Sequence, residues 1–166
     1  MADRFDPSKP ARKESYPESF AESKTVLKRM KRPDMEYFQL TDKSPRKAFM
    51  KYMDEQNLEY DPDDLKRVIV DSHPILMRYK DYYNRPRPNQ VNPNIQAYPS
   101  ETSATPAYPS GHAFQSYLLA KHLSRKYPLH YFSFYSIANR IAKARVSLGL
   151  HYPSDNRKAF ELAHRL

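Results

Sequence analysis

Apolar residues recur at helical spacing through most of the chain beyond residue 40, and no segment sustains a period-two alternation, so the pattern predicts an all-α fold. The first clear helix opens at Ser44-Pro45, with Phe49, Tyr52 and Met53 on its stripe. A second opens at Asp61-Pro62-Asp63-Asp64, where carboxylates meet the positive end of the helix dipole. Its stripe runs Leu65, Val68, Ile69, and Pro74 is expected to kink or restart it before Tyr79 and Tyr82 carry it toward Asn84. Prolines at 86, 88, 93, 99, 106 and 109 then forbid regular structure. A long irregular loop of this kind is uncommon inside a compact domain and often functional. Helices follow from Pro109 to about Tyr127 and from about Tyr131 to Leu148, and Tyr152-Pro153-Ser154-Asp155 opens a short terminal one.

Residues 1–35 break from this pattern. They are polar, interrupted by Pro7, Pro10, Pro17 and Pro33, and predict a loosely packed, poorly ordered arm with a helix around Glu18–Met30. Residues 36–166 are expected to form a single-domain helical bundle.

Composition narrows the chemistry. The 166 residues contain no cysteine, which excludes disulfides, thiolate metal sites and a cysteine nucleophile. No apolar run is long enough to span a bilayer and the N-terminus lacks an apolar signal core, so a soluble, cytoplasmic protein is expected. Lys and Arg outnumber Asp and Glu by 28 to 19, a net +9 that calls for an anionic partner. Glycine occurs twice, Gly111 and Gly149, each expected where a β-carbon is not tolerated.

Three stretches carry candidate chemistry. On the helix Tyr131–Leu148, the 4,3,4,3 spacing of Phe134, Ala138, Ile141, Arg145 and Leu148 puts a guanidinium on the apolar face. It must there meet an anion, a core carboxylate, or the solvent at the stripe edge. His151 and Asp155, four apart around a proline-started helix, let a carboxylate hold one imidazole nitrogen and leave the other free as nucleophile or base. The same spacing also suits a surface pair that caps a helix. Pro109-Ser110-Gly111-His112 joins a helix N-terminus, a hydroxyl and a titratable ring, although Pro-Ser-Gly alone is a turn. Lys80 through Arg87-Pro88 sets cations where a helix enters the proline loop.

Together, Lys80 with Arg87-Pro88, Pro109-Ser110-Gly111-His112, and Arg145 with His151 and Asp155 resemble the three-part motif of the type 2 phosphatidic acid phosphatase and vanadium haloperoxidase superfamily, which includes bacterial non-specific acid phosphatases. The resemblance implies a metal-independent, vanadate-inhibited phosphatase acting on phosphate monoesters or diphosphates, with no cofactor. His151 would be the nucleophile, Asp155 its partner and His112, protonated, the acid for the leaving group. Lys80, Arg87, Ser110, Gly111 and Arg145 would hold the phosphate oxygens. The loop Asn89–Ala107 is the expected substrate selector. One departure is Ala144, where the family usually has serine, so one donor toward the phosphate or the arginine is in doubt. Alternatives are a vanadium-dependent haloperoxidase, which Asp155 disfavours, and a nucleic-acid-binding protein using the basic arm (Lys24, Lys28, Arg29, Lys31, Arg32). A degenerate, inactive phosphate-binding relative is a third.

Overall fold

The computed structural model describes residues 16–166, so the expected looseness of residues 1–15 lies outside the described residues. Helices run in the order α1 (Ser19–Arg29), α2 (Met35–Thr41), α3 (Arg46–Glu55), α4 (Pro62–Tyr83), the single turn α5 (Pro88–Val91), α6 (Gly111–Lys126), a 3-10 turn (Pro128–His130), α7 (Tyr131–Ser147) and α8 (Pro153–Arg165). Among the described residues there is no strand, and the all-α reading holds.

α6 is the axis of the bundle. It packs against α4, α7 and α8, burying Phe114, Leu119 and Leu123 against Phe49, Met53, Phe134 and Ile141. Each large side chain taken out of water here contributes on the order of 1.5–3 kcal/mol. The helix around Glu18–Met30 is present as α1, capped by Glu18, whose carboxylate accepts from the Phe20 and Ala21 amides at 3.0 and 2.8 Å. It packs on α5 and α7 and buries Val26 completely.

Several element boundaries differ from the expectations. Pro74 does not restart the helix: α4 runs through it for 22 residues. The carbonyl of Val70 loses its helical donor there, and Val70 itself is an exposed residue. The proline loop contains one helical turn, α5, because Pro88 supplies the fixed φ of a first helical position. α6 starts at Gly111 rather than Pro109, since Ser110 is the cap, its hydroxyl accepting from the Ala113 amide at 3.3 Å. No helix among the described residues is long and apolar enough to cross a membrane.

Candidate active site

Two helix starts are tied together at the centre of the molecule. Asp155 lies in the first turn of α8, and its Oδ2 accepts from the Tyr152 amide at 2.9 Å, satisfying one of the unpaired donors of that turn. The Asp155 carbonyl in turn accepts from the Ser110 amide, at 3.2 Å, so the start of α6 is held against the start of α8.

Around this junction Lys80, Arg87, Gly111, His112 and His151 come to the wall of one cleft of about 440 Å³. Asp155, Ser110 and Arg145 stand behind that wall, each almost fully buried. The histidine on α6 and the one before α8 thus share a single concavity with two cations. Arg46, Lys43, Lys66 and His73 line its outer part, beside Ile69, Val70 and Met77 of α4. The expected selector loop supplies only one side, through Glu101, Thr102, Ala104 and Thr105; the α2–α3 connection, Arg46 of α3, α4 and the start of α6 line the rest with Arg87 and His151.

Hydrogen bonds fix the tautomers. Arg87 Nη1 lies 3.0 Å from His151 Nε2, and a guanidinium can only donate, so Nε2 presents its lone pair. The proton is therefore on Nδ1, which donates to Asp155 Oδ2 at 2.9 Å. His112 Nε2 lies 3.0 Å from the Thr41 carbonyl and 2.8 Å from that of Asp42. Two carbonyls can only accept, so Nε2 carries a proton and Nδ1 is the atom left to exchange one.

The cations are positioned by backbone carbonyls. Lys80 Nζ donates to the Pro106 carbonyl at 2.5 Å, and Arg87 donates to those of Thr105 and Leu150 at 2.8 and 2.9 Å. Arg145 meets a carboxylate: Nη1 donates to Asp42 Oδ1 at 2.8 Å and Nη2 to Thr102 Oγ1 at 2.9 Å. Its Nε is buried without a partner. Of the environments left open by the sequence, a carboxylate partner is the one found. Gly149, with φ of 79°, makes the turn between Arg145 and His151; a β-carbon there would lie 2.9 Å from Met30 Cε and 3.2 Å from Ala97 Cα. Ala144 lines a separate cavity beyond α7 and is not part of the cleft wall, so a hydroxyl at that position would not face the cleft.

Sequence reasoning missed Arg85, Glu22 and Asp42. Arg85 is fully buried, its guanidinium 4.1 Å from the Tyr16 ring centre and 3.7 Å from that of Tyr152. It pairs with Asp155 Oδ1 at 2.8 Å and Glu22 Oε1 at 2.9 Å. The signal was the doubled Arg-Pro of residues 85–88, of which only the second pair was assigned a role. Glu22 and Asp42 carried no local signal, since their partners are more than 60 residues away.

Burial dominates the electrostatics. It lowers His112 to about 3, with the Arg145 charge adding to the effect, and it lowers His151 well below the ordinary histidine value, helped by Arg87 and Lys80. The protein's own groups therefore leave both rings neutral at pH 7, and the protonated His112 of the sequence reading requires a dianion beside it. Burial also lowers Lys80 strongly and Arg87 to about 10. It raises Asp155 to about 6, against the opposing charge of Arg85, so this carboxyl is ionised at neutral pH.

The helices hold a buried His–Asp pair beside a cationic cleft, and a family match makes this a phosphoesterase-type enzyme. The model of the PAP2 superfamily matches residues 68–159, more than half of the sequence, and the chain belongs to this superfamily. That match takes in every candidate residue from Lys80 to Asp155. A comparison with curated proteins gives no match.

Proposed function

We propose that the protein hydrolyses phosphate monoesters or diphosphates without a metal, through a phosphohistidine on His151. The observation that carries this reading is the His151 ring, anchored through Nδ1 by Asp155 with its Nε2 lone pair turned toward Arg87 in a cleft that also holds Lys80 and His112. A phosphate oxygen takes over the Arg87 donor and frees the lone pair. The bound phosphate dianion draws a proton from solvent onto His112 Nδ1; Nε2 of His151 then bonds to phosphorus as the bond to the leaving oxygen breaks, and His112 Nδ1 gives that oxygen this proton. Water next attacks the phosphohistidine, losing a proton to His112, and the P–N bond breaks to release inorganic phosphate. Phosphoryl transfer needs mainly positioning and charge neutralisation, which Lys80, Arg87, Arg145 and the N-terminus of α6, with Ser110 and Gly111, supply. Among the described residues no three His, Asp or Glu side chains are grouped to hold a metal ion. The rim cations Lys43 and Lys66 favour substrates with further negative charge, and the apolar face of α4 favours a partly apolar leaving group.

The test is to quench turnover of labelled p-nitrophenyl phosphate in alkali, where phosphohistidine survives. Label is expected on the wild-type chain and absent from His151→Ala, which should also have lost turnover. Arg87→Ala should cost on the order of 10²–10³ in rate, as for other oxyanion donors. Full activity in His151→Ala overturns the covalent route, inhibition by EDTA points to a metal hydrolase, and bromide oxidation with added vanadate and peroxide points to a haloperoxidase.

A further inference from the structure

His151 is held by a carboxylate, Asp155, whereas His112, the other ring of the cleft, is held by two backbone carbonyls. Those carbonyls, of Thr41 and Asp42, stand at the C-terminal end of α2, where intrahelical donors run out and the negative end of the helix dipole favours a cation. The second of them belongs to a residue whose side chain also enters the site. Asp42 Oδ1 accepts from Arg145 Nη1 at 2.8 Å and from Ser100 Oγ at 2.6 Å. One residue thus touches the acid ring with its backbone and a buried guanidinium with its side chain.

The charges around His112 are mostly of the wrong sign for an acid. Lys80 of α4, Arg87 before α5 and Arg145 of α7 are cations, and Lys43, Arg46 of α3 and Lys66 of α4 add more at the rim, where His73 also titrates; His151 shares the cleft. Of the carboxylates nearby, Glu101 is exposed to solvent, which screens it, and Asp155 is committed to Arg85 and His151. Asp42 is the one left to act on His112. Burial opposes its ionisation, but the hydrogen bonds from Ser100 and Arg145 hold its carboxyl below the ordinary value. Burial and the Arg145 charge keep a proton off His112, while the Asp42 carbonyl and carboxylate act the other way.

We propose that Asp42 is a positioning residue for the acid of the reaction: its carbonyl holds the Nε2 proton of His112 and its carboxylate offsets the charge of Arg145, so that a bound phosphate dianion suffices to protonate Nδ1. This rests on the hydrolytic reading given above. The two rings of the cleft then each have their own carboxylate, His151 by direct contact with Asp155 and His112 through the backbone of Asp42 and across Arg145. The carboxylates serve opposite ends, since Asp155 fixes the tautomer of a neutral nucleophile and Asp42 supports the charge of an acid.

Comparison of two substrates in the full-length chain tests this, because phenyl phosphate needs a proton on its leaving oxygen more than p-nitrophenyl phosphate does. Asp42→Asn should lower kcat about tenfold on phenyl phosphate and less than about threefold on p-nitrophenyl phosphate. It should also move the basic limb of the phenyl phosphate profile down by about one pH unit, since removing an anion makes His112 lose its proton sooner. Asp42→Glu, which keeps the charge, should restore the limb. Where Asp42→Asn fails to fold, the same shift is read between Arg145→Gln and the double variant Asp42→Asn with Arg145→Gln, in which no buried guanidinium is left uncompensated. NMR titration of the His112 ring with inorganic phosphate present should show the same displacement between wild type and Asp42→Asn. This measurement needs no turnover, so a wild-type chain that hydrolyses neither ester sinks the hydrolytic reading while the titration still judges Asp42. Equal losses on both substrates with an unmoved limb, an unmoved His112 titration, or a limb displaced as far by Asp42→Glu as by Asp42→Asn overturns the proposal.

Discussion

Asp155 answers to two bases at once, His151 on one oxygen and Arg85 on the other. Arg85 offsets the burial that raises the carboxyl. Replacing Arg85 by Met therefore removes the fully buried cation that Asp155 and Glu22 share, leaving Glu22 only the exposed Arg157 at 3.6 Å. Loss of about 3–5 kcal/mol of stability is expected by denaturant unfolding. The acid limb of the rate profile should also move above pH 6, where Asp155 would now take up a proton. Asp155→Asn is expected to leave the fold intact and to cost roughly 10⁴ in kcat, because the amide cannot enforce the Nδ1–H tautomer; a wild-type rate would show that the anchor is dispensable. Most of the site residues could be read from the sequence because the chemistry confines them to short spacings, His151 with Asp155 and Ser110 with His112. Asp42 and Glu22 could not, since nothing local marks a carboxylate whose partner arrives by tertiary folding.

Helix starts organise this molecule more than helix interiors do. Ser110 and Asp155 each satisfy an amide of a first turn while standing beside the cleft, so the same hydrogen bonds that begin α6 and α8 place the site. Proline and cap signals made the elements legible, and the errors came where proline can play two parts. Pro74 sits inside a continuous helix, and Pro88 begins a turn inside a loop. Gly149 is the element-scale constraint: Gly149→Ala forces a β-carbon against Met30 and Ala97 in a left-handed backbone, and a loss of about 1–3 kcal/mol is expected from thermal melts. Gly111→Ala should be milder for stability, since its β-carbon would meet only the flexible end of Leu76, Cδ2 at 3.3 Å, with Lys80 Cε at 3.8 Å in ordinary contact.

At the scale of the whole chain, buried histidines set the response to acid. The unfolded chain binds protons on His112 and His151 near pH 6.5, whereas the native rings resist protonation, His112 until about pH 3. Stability is therefore full above pH 6.5 and falls as pH drops below it, by about 1.4 kcal/mol per pH unit for each ring. Asp155 acts oppositely between 3.8 and about 6, because the native carboxyl holds its proton more tightly than the unfolded one. Two rings against one carboxyl leave a net decline, which melting temperatures between pH 7 and 4.5 should show. Orthovanadate should reverse part of it by favouring the protonated rings, and its binding should take protons from the buffer.

The sandwich of Arg85 between Tyr16 and Tyr152 has a further meaning for how this chain is handled. The first helix, which a reader of the sequence would trim as a dispensable leader, supplies Glu22 and, with Tyr16 just ahead of it, encloses the guanidinium that pairs with Asp155, the partner of His151. Cutting before residue 35 would expose the back of the candidate site to solvent, so a tag, a protease or a shortened gene product at that end acts on the His151–Asp155 pair directly.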